Sequence, residues 1–593
     1  MRSWKLRATL LASSALVAGL LIGSPFEPIR PAADPSQLLE PGFASTGVCG
    51  KGQQRASAFR LNRLVLASPA VAATAGQAPP LFENLGAHSH PVTTADEMAQ
   101  RYFDQGLKLT YAFNHPEALR AFKEAQRRDP DCAMCYWGEA FVLGPNINAP
   151  MDGSAENPSL VAIANAQARA AKASPVEQAL IGALGQRYVR GQERAALNAA
   201  YADAMAAAHA AFPADQDVAV LFADAVMNTA PWDYWEIDGR TTKGRAGEAI
   251  AAIERVLAVN PDHPGAIHLY IHLTEASATP ERAEPYADRL AALMPAAGHV
   301  VHMPTHTYFR IGRYLDSLEL NVAAVEADEA YLAQAEDAGA YAYTYYPHNI
   351  HFALVAAQMA GDAENMLWAA ERLEGKIPDE VASSIGWVQV ILPAPYYAHA
   401  QFSDPDTILE LEDPGDTFPL VKGMWHYSRG VAQAAKGDLE AARSEAARIA
   451  EINQTADFSM LLDWFVPAPD VLQLARHIVE GRIAQAEGDL EKAIREFEVA
   501  VQIQDSLPYL EPEYWYYPVR QSLGAAQLMA GHAEQAAETF RAALIDAPNN
   551  GWALWGLMEA QKAAGDQAAV EETAQLFDKA WAGDARLLDL ARL

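Results

Sequence analysis

The chain has 593 residues, of which 51% are hydrophobic and 20% are charged, a balance typical of a folded globular protein. Its formal net charge of -31 at pH 7 would repel nucleic-acid phosphates and anionic lipid surfaces, so the sequence predicts no nucleic-acid partner. Only three cysteines occur, which excludes a fold built around disulfides.

The N-terminal segment has the composition of an export signal. Its first residues, "MRSWKLRATLLASSALVAGLLIG", place three basic residues before an apolar run from Ala8 to Ile22. Because this run is too short to span a bilayer comfortably, we expect residues 1–23 to be a secretory signal peptide. A retained N-terminal anchor is the alternative. The protein is therefore expected to be periplasmic or secreted, with no membrane span after cleavage.

Residues 24–92 are rich in Pro, Ala, Ser and Gly and show no sustained periodicity. This composition predicts a low-complexity linker, because such a segment cannot bury a core of its own. The "HSH" of His88 and His90 is interpreted as part of a solvated tail, and an arm over a binding groove is the alternative. The folded part is expected to cover residues 93–593.

The motif "DPDCAMCYWG" contains Cys132 and Cys135 at the predicted start of a helix. It lacks the following histidine of a haem attachment site and a second cysteine pair for zinc. In an oxidising compartment we expect a disulfide between the two cysteines, since they lie three residues apart. Two packed thiols and a redox-active pair are the alternatives.

Alanine-rich helical periodicity, interrupted by short glycine turns, predicts an all-α chain. In "FDQGLKLTYAFNHPEALRAFKEAQRRDP", an alanine, a phenylalanine and a second alanine follow the glycine by 12, 16 and 19 residues, and a proline ends the unit. Two segments near the C-terminus repeat this spacing. The glycine–phenylalanine pairs of the three units are Gly106 and Phe122, Gly481 and Phe497, and Gly524 and Phe540.

This pattern resembles the tetratricopeptide repeat, a helix-turn-helix unit of about 34 residues. The resemblance covers about residues 93–593 and implies a right-handed superhelical solenoid. The first helix of each pair would line a concave groove that holds a small-molecule or peptide ligand. Insertions such as "TAPWDYWEIDGRTTKG" and "DSLPYLEPEYWYYP" break the period and are expected to be loops.

The strings "CAMCYWG" and "HMPTHTYFRIGRY" also resemble exported bacterial repeat proteins of no assigned activity. This second resemblance therefore gives no information about function.

The histidines are concentrated in the middle of the chain, where 8 of the 16 lie between residues 263 and 351. His268 and His302 share position 5 of consecutive repeats, and His272 and His306 share position 9, so that each pair is 34 residues apart. Positions 2, 5 and 9 form one stripe of a helix, which by the resemblance faces the groove. The histidines at these positions are His268, His272, His299, His302, His306, His348 and His351.

This stripe predicts a transition-metal site in the repeats at about residues 264–375. Imidazoles at i and i+4 have Cβ atoms about 5–6 Å apart and can share an ion. Many nitrogens without a nearby thiolate disfavour Mg and Ca, so copper is favoured and zinc or iron is possible. A histidine groove that binds an acidic or aromatic partner without metal is the alternative. His426 and His477 fall at a packing position and are expected to be structural.

Three further residues are predicted to take part in chemistry. Glu275 lies on the histidine stripe, where it could act as an acid or a base. Tyr308 and Arg310 lie nearby and could orient a phenolic or anionic substrate, as could Tyr345, and Trp232 could cover the groove. The leading hypothesis is a metal-dependent oxidoreductase, and zinc-dependent hydrolysis with Glu275 as base is the second. A repeat scaffold for a peptide or protein partner and a metal carrier are the non-catalytic alternatives.

Overall fold

The computed structural model describes residues 78–335 and 338–593. The predicted signal peptide and most of the predicted linker lie outside the described residues. Within the described ranges the regular structure is helical and no β-strand is assigned, so the predicted all-α fold is confirmed. None of the helices in this part of the chain has the length and apolar character needed to cross a bilayer.

The helices follow one another with short connections and a few longer loops. The N-terminal helices are α1 (Glu97–Tyr111), α2 (His115–Arg128), α3 (Ala133–Val142), α4 (Glu156–Arg169), α5 (Pro175–Gly185), α6 (Arg194–Ala211), α7 (Gln216–Met227) and α8 (Ala246–Val259). The middle helices are α9 (Pro264–Thr274), α10 (Glu284–Leu293), α11 (Gly298–His302), α12 (Pro304–Arg310), α13 (Tyr314–Leu332), α14 (Tyr345–Ala360), α15 (Ala363–Leu373), α16 (Asp379–Ala382), α17 (Ala394–Phe402) and α18 (Pro405–Glu410). The C-terminal helices are α19 (Pro419–Lys436), α20 (Leu439–Thr455), α21 (Ser459–Asp463), α22 (Ala468–Glu487), α23 (Leu490–Ser506), α24 (Arg520–Met529), α25 (Ala533–Asp546), α26 (Gly551–Ala564) and α27 (Gln567–Ala580).

The "GD" turns connect the two helices of a repeat by a simple local mechanism. Gly488 ends α22 in the left-handed conformation, with φ of 78°, which glycine adopts at little steric cost. The next residue, Asp489, accepts a hydrogen bond from the backbone N–H of Lys492 and so caps α23. The same pair of residues, Gly437 and Asp438, separates α19 from α20.

The small residue of each first helix is required by the packing of an aromatic ring. A Cβ atom on Gly106 would lie 2.7 Å from the ring of Phe122, and one on Gly138 in the next helix would lie 2.4 Å from the same ring. Phe122 is completely buried between α1, α2 and α3. Gly481 meets Phe497 in the same way, at 2.4 Å. These contacts confirm the helix-turn-helix repeat packing predicted from the glycine–phenylalanine spacing.

The end of the predicted linker, residues 78–92, packs against α1 in the structure. Tyr102 donates a hydrogen bond to the carbonyl of Pro79 at 3.0 Å. His88 Nε2 and His90 Nδ1 lie 3.1 and 2.9 Å from the carboxylate of Asp217 on α7, and His90 is buried. The interpretation of "HSH" as a solvated tail is therefore wrong, because Asp217 holds both imidazoles.

Cys132 caps α3 and is joined by a disulfide to Cys135 in the first turn of that helix. Both cysteines are completely buried. The bridge therefore lies inside the first repeats and is not exposed to solvent.

Candidate metal centre

The histidine stripe is carried by four helices of the middle repeats. His268 and His272 lie on α9, His299 and His302 on α11, His306 on α12 and His348 on α14. The stripe of positions 2, 5 and 9 assumes one continuous helix over "HVVHMPTH", but α11 ends at His302 and α12 begins at Pro304. The break has a local cause, because proline has no backbone N–H to continue the helical hydrogen bonds.

The structure brings six histidines together as two adjacent triads, which we call triad A and triad B. Within each triad the ligand atoms lie within 4.8 Å of one another. Triad A is His268, His272 and His299, and triad B is His302, His306 and His348. The triads adjoin, because the ring centroids of His272 and His306 are 5.7 Å apart.

All six imidazoles lie inside the protein and not along an open concave groove. Five of the histidines are at most 2% exposed, and His348 is half-buried. This differs from the groove-surface position expected from the repeat resemblance. The reason is that loops and neighbouring helices cover the stripe, as the aromatic contacts described below show.

In triad B three Nε2 atoms point at one another. Nε2 of His302 lies 2.8 Å from Nε2 of His306 and 3.1 Å from Nε2 of His348. On the far side of its ring, His302 places Nδ1 2.6 Å from the amide oxygen of Asn321. Asn321 donates its own Nδ2–H to the carbonyl of Ser317, so that only its oxygen can face the imidazole. His302 therefore carries its proton on Nδ1 and directs a lone pair from Nε2 towards His306.

Glu275 fixes the orientation of one imidazole in each triad. Its two oxygens lie 2.7 Å from Nδ1 of His272 and 2.6 Å from Nδ1 of His306. A carboxylate at this distance requires a proton on Nδ1, which leaves the Nε2 lone pairs of both rings pointing away from Glu275. Nδ1 of His268 is oriented similarly by the backbone carbonyl of Tyr111, at 2.5 Å.

The remaining nitrogens of triad A have no protein partner. Nε2 of His268, Nε2 of His272 and both ring nitrogens of His299 are buried without a hydrogen bond to any described residue. Buried polar atoms are almost always paired, so a group of unpaired nitrogens that face one another is a place that could hold a metal ion. Neutral imidazole nitrogens in this arrangement are what a transition-metal ion requires.

Burial and charge together keep most of the imidazoles neutral. Burial lowers the pKa of His268, His299, His302 and His348 well below the usual range, and neighbouring histidines lower it further. Burial also opposes a charge on His306, but the carboxylate of Glu275 outweighs it and raises the pKa of this histidine. Although burial disfavours the Glu275 carboxylate, the contacts with His306 and His272 lower its pKa to about 2.

Aromatic residues form the walls around the two triads. Phe113 lies against triad A, with its ring centroid 4.4 Å from that of His268, and its backbone has φ of 55°. Trp232 meets His272 edge-on at 5.1 Å, has φ of 65° and is 40% exposed. Tyr345 packs on His299 at 4.5 Å, and Phe352 packs between His302 and His306. Of these aromatic residues, Trp232 is the most exposed to solvent.

Two of the predicted site residues are not part of the triads. Nε2 of His351 contacts the hydroxyl of Tyr516 at 2.5 Å instead of joining triad B. Tyr308 donates to Asp288 at 2.7 Å, and the guanidinium of Arg313 covers its ring. A substrate role for Tyr308 has no support in this placement, because the hydroxyl is already engaged on the side of α10.

Arg310 and Glu275 are placed beside the triads but in roles other than those predicted. The Nε–H of Arg310 donates to the backbone carbonyl of Glu275 at 3.0 Å, so Arg310 holds the end of α9. Both oxygens of Glu275 are engaged with imidazoles, so Glu275 orients ligands and is not placed as a free acid or base.

Glu511 is a residue near the site that sequence analysis missed. It lies in the loop between α23 and α24, is 7% exposed and accepts a hydrogen bond from Tyr509 at 2.7 Å, while its Oε2 has no described partner. Burial raises its pKa to about 8, and the charges of Arg310 and His306 oppose this increase. Its position in the sequence gives no sign of this, because only the folding of the solenoid brings Glu511 close to the histidines.

Other histidine clusters differ from the triads because their nitrogens are already used. Nδ1 of His263 accepts from the backbone N–H of Ala266, so its Nε2 carries a proton and cannot bind a metal beside Asp217. His477 places Nδ1 2.8 Å from Glu496, and its Nε2 is 3.1 Å from the guanidinium of Arg476. The expected structural role of His477 agrees with these contacts.

No family model matches the chain, and no curated protein matches it. Among solved structures, the chain is similar to the human IFIT1 dimer with m7Gppp-AAAA, at 12% identity over 82% of this chain and 90% of that chain, with a TM-score of 0.30. It is also similar to yeast Tom70, at 11% identity over 81% and 93% of the two chains, with a TM-score of 0.25. A third similar structure is the TPR domain of P58(IPK), at 13% identity over 79% and 98%, with a TM-score of 0.20. These likenesses concern the helical-repeat fold alone.

Proposed function

We propose that triads A and B bind two transition-metal ions, with copper favoured, and that the protein is an exported metal-dependent oxidoreductase. The observation that supports this most directly is the 2.8 Å approach of Nε2 of His302 to Nε2 of His306. In their neutral forms both rings use Nδ1 as the donor, so neither Nε2 has a proton to share. Two buried lone pairs at this distance repel each other unless a cation lies between them, either a metal ion or a second proton on His306, whose pKa Glu275 raises.

The geometry of triad B is compatible with an ion. Nitrogens bound at about 2.0–2.1 Å in a tetrahedral shell lie about 3.3 Å from one another. The separations of 2.8 and 3.1 Å in triad B therefore need to widen by only a few tenths of an ångström. Three imidazoles leave a fourth position for water or substrate, as in catalytic rather than structural sites.

The chemistry of the donors narrows the choice of metal. All six candidate ligands are imidazoles, and the nearest carboxylate, Glu275, is engaged by their Nδ1 atoms. Mg, Ca and Mn prefer oxygen ligands, and non-haem iron sites commonly add a carboxylate to two histidines. Copper and zinc suit the triads best, and only copper changes its oxidation state.

Two adjacent copper ions would support a two-electron oxidation. An aromatic diol or amine substrate would lose two electrons and two protons per turnover. Dioxygen would take four electrons and four protons to form two waters, so two substrate molecules are oxidised for each dioxygen consumed. In this scheme Glu275 and Asn321 hold the imidazoles in place, and Glu511, a buried carboxyl whose pKa is raised to about 8, could supply protons.

The test is to load metal-free protein separately with copper, zinc or iron. Oxygen uptake is measured with a panel of phenols and amines, and hydrolysis is measured with a panel of esters. We expect oxygen uptake with copper only, and the His302→Ala variant should lose it while His477→Ala retains it. Hydrolysis with zinc alone would favour the second hypothesis. Tight metal binding without any turnover would instead identify a carrier.

The burial of the triads weighs against the scaffold alternative in which the histidines line a peptide groove. A peptide would need access to a stripe of side chains, whereas five of the six imidazoles are at most 2% exposed. The histidines give no argument for or against the binding of a partner elsewhere on the solenoid.

A further inference from the structure

Asp217 on α7 is a buried carboxylate outside the two triads, and four side chains surround it. Its Oδ1 accepts a hydrogen bond from the hydroxyl of Tyr111 at 2.5 Å and lies 3.1 and 3.3 Å from Nε2 of His88 and of His263. Its Oδ2 lies 2.9 Å from Nδ1 of His90. Asp217 therefore holds together parts of the chain that are far apart in the sequence.

Two of these four side chains come from residues 78–92, which we call the N-terminal arm. His88 and His90 belong to the arm, and the ring centroid of His88 also lies 4.7 Å from that of His263. Ser89, between the two histidines, is exposed and donates instead to Asp104 on α1 at 2.8 Å. The two histidines are thus the side chains through which the arm contacts Asp217.

The charges of this cluster favour the docked position of the arm. Burial disfavours the carboxylate of Asp217, but its contacts with the histidines hold its pKa well below the usual range. Burial also disfavours a charge on His90, but the hydrogen bond with Asp217 outweighs it and raises the pKa of this histidine. A buried carboxylate that loses such partners is costly, so displacement of the arm would weaken the whole cluster.

Two contacts lead from Asp217 to triad A. Tyr111 is the last residue of α1, and its backbone carbonyl lies 2.5 Å from Nδ1 of His268. Its ring packs on the first turn of α9, where a Cβ atom on Gly265 would lie 2.7 Å from it. His263 caps the same helix, because its Nδ1 accepts a backbone N–H of the first turn at 3.2 Å. The residues that Asp217 holds therefore position both the start of α9 and the ring of His268.

We propose that the N-terminal arm regulates the metal occupancy of triad A by docking on Asp217. With the arm docked, Asp217 fixes Tyr111, and the Tyr111 carbonyl holds His268 with its Nε2 free for a metal ion. With the arm displaced, Asp217 loses two partners, Tyr111 is held less firmly, and His268 loses its fixed orientation. Triad B is oriented differently, by Asn321 and Glu275. The effect on metal binding rests on the proposed function, whereas the coupling of the arm to α9 does not.

The first test compares the two triads in full-length protein that is stripped of metal and titrated with copper against a chelator. His302→Ala leaves triad A as the intact site, and His299→Ala leaves triad B. Adding His88→Ala and His90→Ala together should weaken copper binding about tenfold in the first background, near the lower end of the cost of losing a contact that orients a ligand. Copper binding in the second background should not change. An equal loss in both backgrounds, or no loss in the first, would overturn the proposal.

Further variants in the background that retains triad A separate positioning from folding. Tyr111→Phe keeps the ring and the backbone carbonyl but cannot donate to the carboxylate, so it should also weaken copper binding. His88→Gln combined with His90→Asn keeps N–H donors near the two original nitrogens and should restore most of the affinity. Ser89→Ala is the matched control in the arm and should bind copper as tightly as its parent. Unchanged binding in Tyr111→Phe would contradict the route through Tyr111.

Hydrogen exchange of the metal-free protein tests the coupling without any metal. In the variant with both His88→Ala and His90→Ala, backbone amides of α9 should exchange at least about threefold faster than in the native protein, and those of α14 should not change. Unchanged exchange in α9 would refute the coupling, even in a protein that binds copper. Faster exchange in α9 of a protein that binds no copper in either background would refute the metal centre and the regulation of its occupancy, and only the coupling would remain.

Discussion

His272 and His306 are joined through a single carboxylate, because Glu275 places one oxygen 2.7 Å from Nδ1 of the first and the other 2.6 Å from Nδ1 of the second. Each imidazole belongs to a different triad, so one side chain sets the orientation of a ligand in both.

The Glu275→Gln variant should bind metal about 10–100-fold more weakly, although all six histidines remain. A glutamine has one amide oxygen and one NH₂ group, so it can accept from only one of the two Nδ1–H donors. Metal affinity is measured by competition with a chelator. Glu496→Gln is the matched control, since Glu496 contacts His477 at 2.8 Å outside the triads. Equal losses in both variants would show that Glu275 has no particular role.

The native protein should bind two transition-metal ions per chain, and His302→Ala should bind fewer. His302 supplies the Nε2 that approaches both His306 and His348, so its removal dismantles triad B. Elemental analysis of the purified protein gives the stoichiometry. His477→Ala should keep the native value, and a chain that contains no metal in any preparation would contradict the metal centre.

Trp232 should limit access to triad A, because it covers His272 edge-on and is itself 40% exposed. We expect Trp232→Ala to lose metal to a chelator severalfold faster than the native protein, with little change in affinity. The comparison variant is Phe465→Ala, another exposed aromatic residue with a left-handed backbone, at φ of 60°. Identical chelation rates for all three proteins would rule out Trp232 as a cover.

The stability of the metal-free protein should depend on the protonation of Glu511. Burial raises the pKa of this carboxyl to about 8 in the folded state, against about 4.3 in an unfolded chain. The folded state therefore binds the proton more tightly, and the stabilisation that protonation provides is complete below about pH 4.3 and is lost as the pH rises to 8. Each pH unit in this window costs at most about 1.4 kcal/mol from this one group.

Glu511→Gln should reduce that slope, because the neutral amide has no proton to lose. Urea unfolding of the metal-free protein at several pH values between 5 and 8 measures the effect. Glu534→Gln, on the surface of α25, is the control. A slope that is the same in the native protein and Glu511→Gln would show that the carboxyl is already ionised at pH 5.

Cys132 and Cys135 should be disulfide-bonded in protein taken from an oxidising compartment. Alkylation of the denatured protein without reductant should then modify Cys49 alone, which lies outside the described residues. Mass spectrometry counts the modified cysteines before and after reduction. Three modified cysteines without reductant would contradict the bridge.

Much of the fold was predictable, because its determinants are local. A glycine followed 16 residues later by a phenylalanine specifies one helix pair, and Gly106 with Phe122 is an example in the structure. The sequence showed that the insertions interrupt the period. It did not show which part of the folded chain each insertion contacts. The loop that carries Glu511 and Tyr516 reaches the middle repeats through tertiary packing, which a repeat pattern does not encode.

Of the seven histidines that the repeat register selects, six meet in triads A and B and one does not. His348 joins triad B, whereas His351, three residues later, turns to Tyr516. The side chains of residues three apart on a helix differ in direction by about 60°. Residues of one helical stripe can therefore point to different places, and not all of them reach the same metal site. Asn321 and Tyr111 orient ligands from other helices, and their role depends on contacts that appear only in three dimensions.

The equivalence of His268 with His302 and of His272 with His306 has a consequence for how this centre could change. In a solenoid each repeat contacts chiefly its neighbours, so the gain or loss of a single repeat is tolerated better than in a globular core. Duplication of the repeat with His268 and His272 or of the repeat with His302 and His306 would add a third ligand pair to the two present, and deletion of either would remove one pair. The number of ions that such a chain holds is therefore a property that recombination within the array can alter in one step.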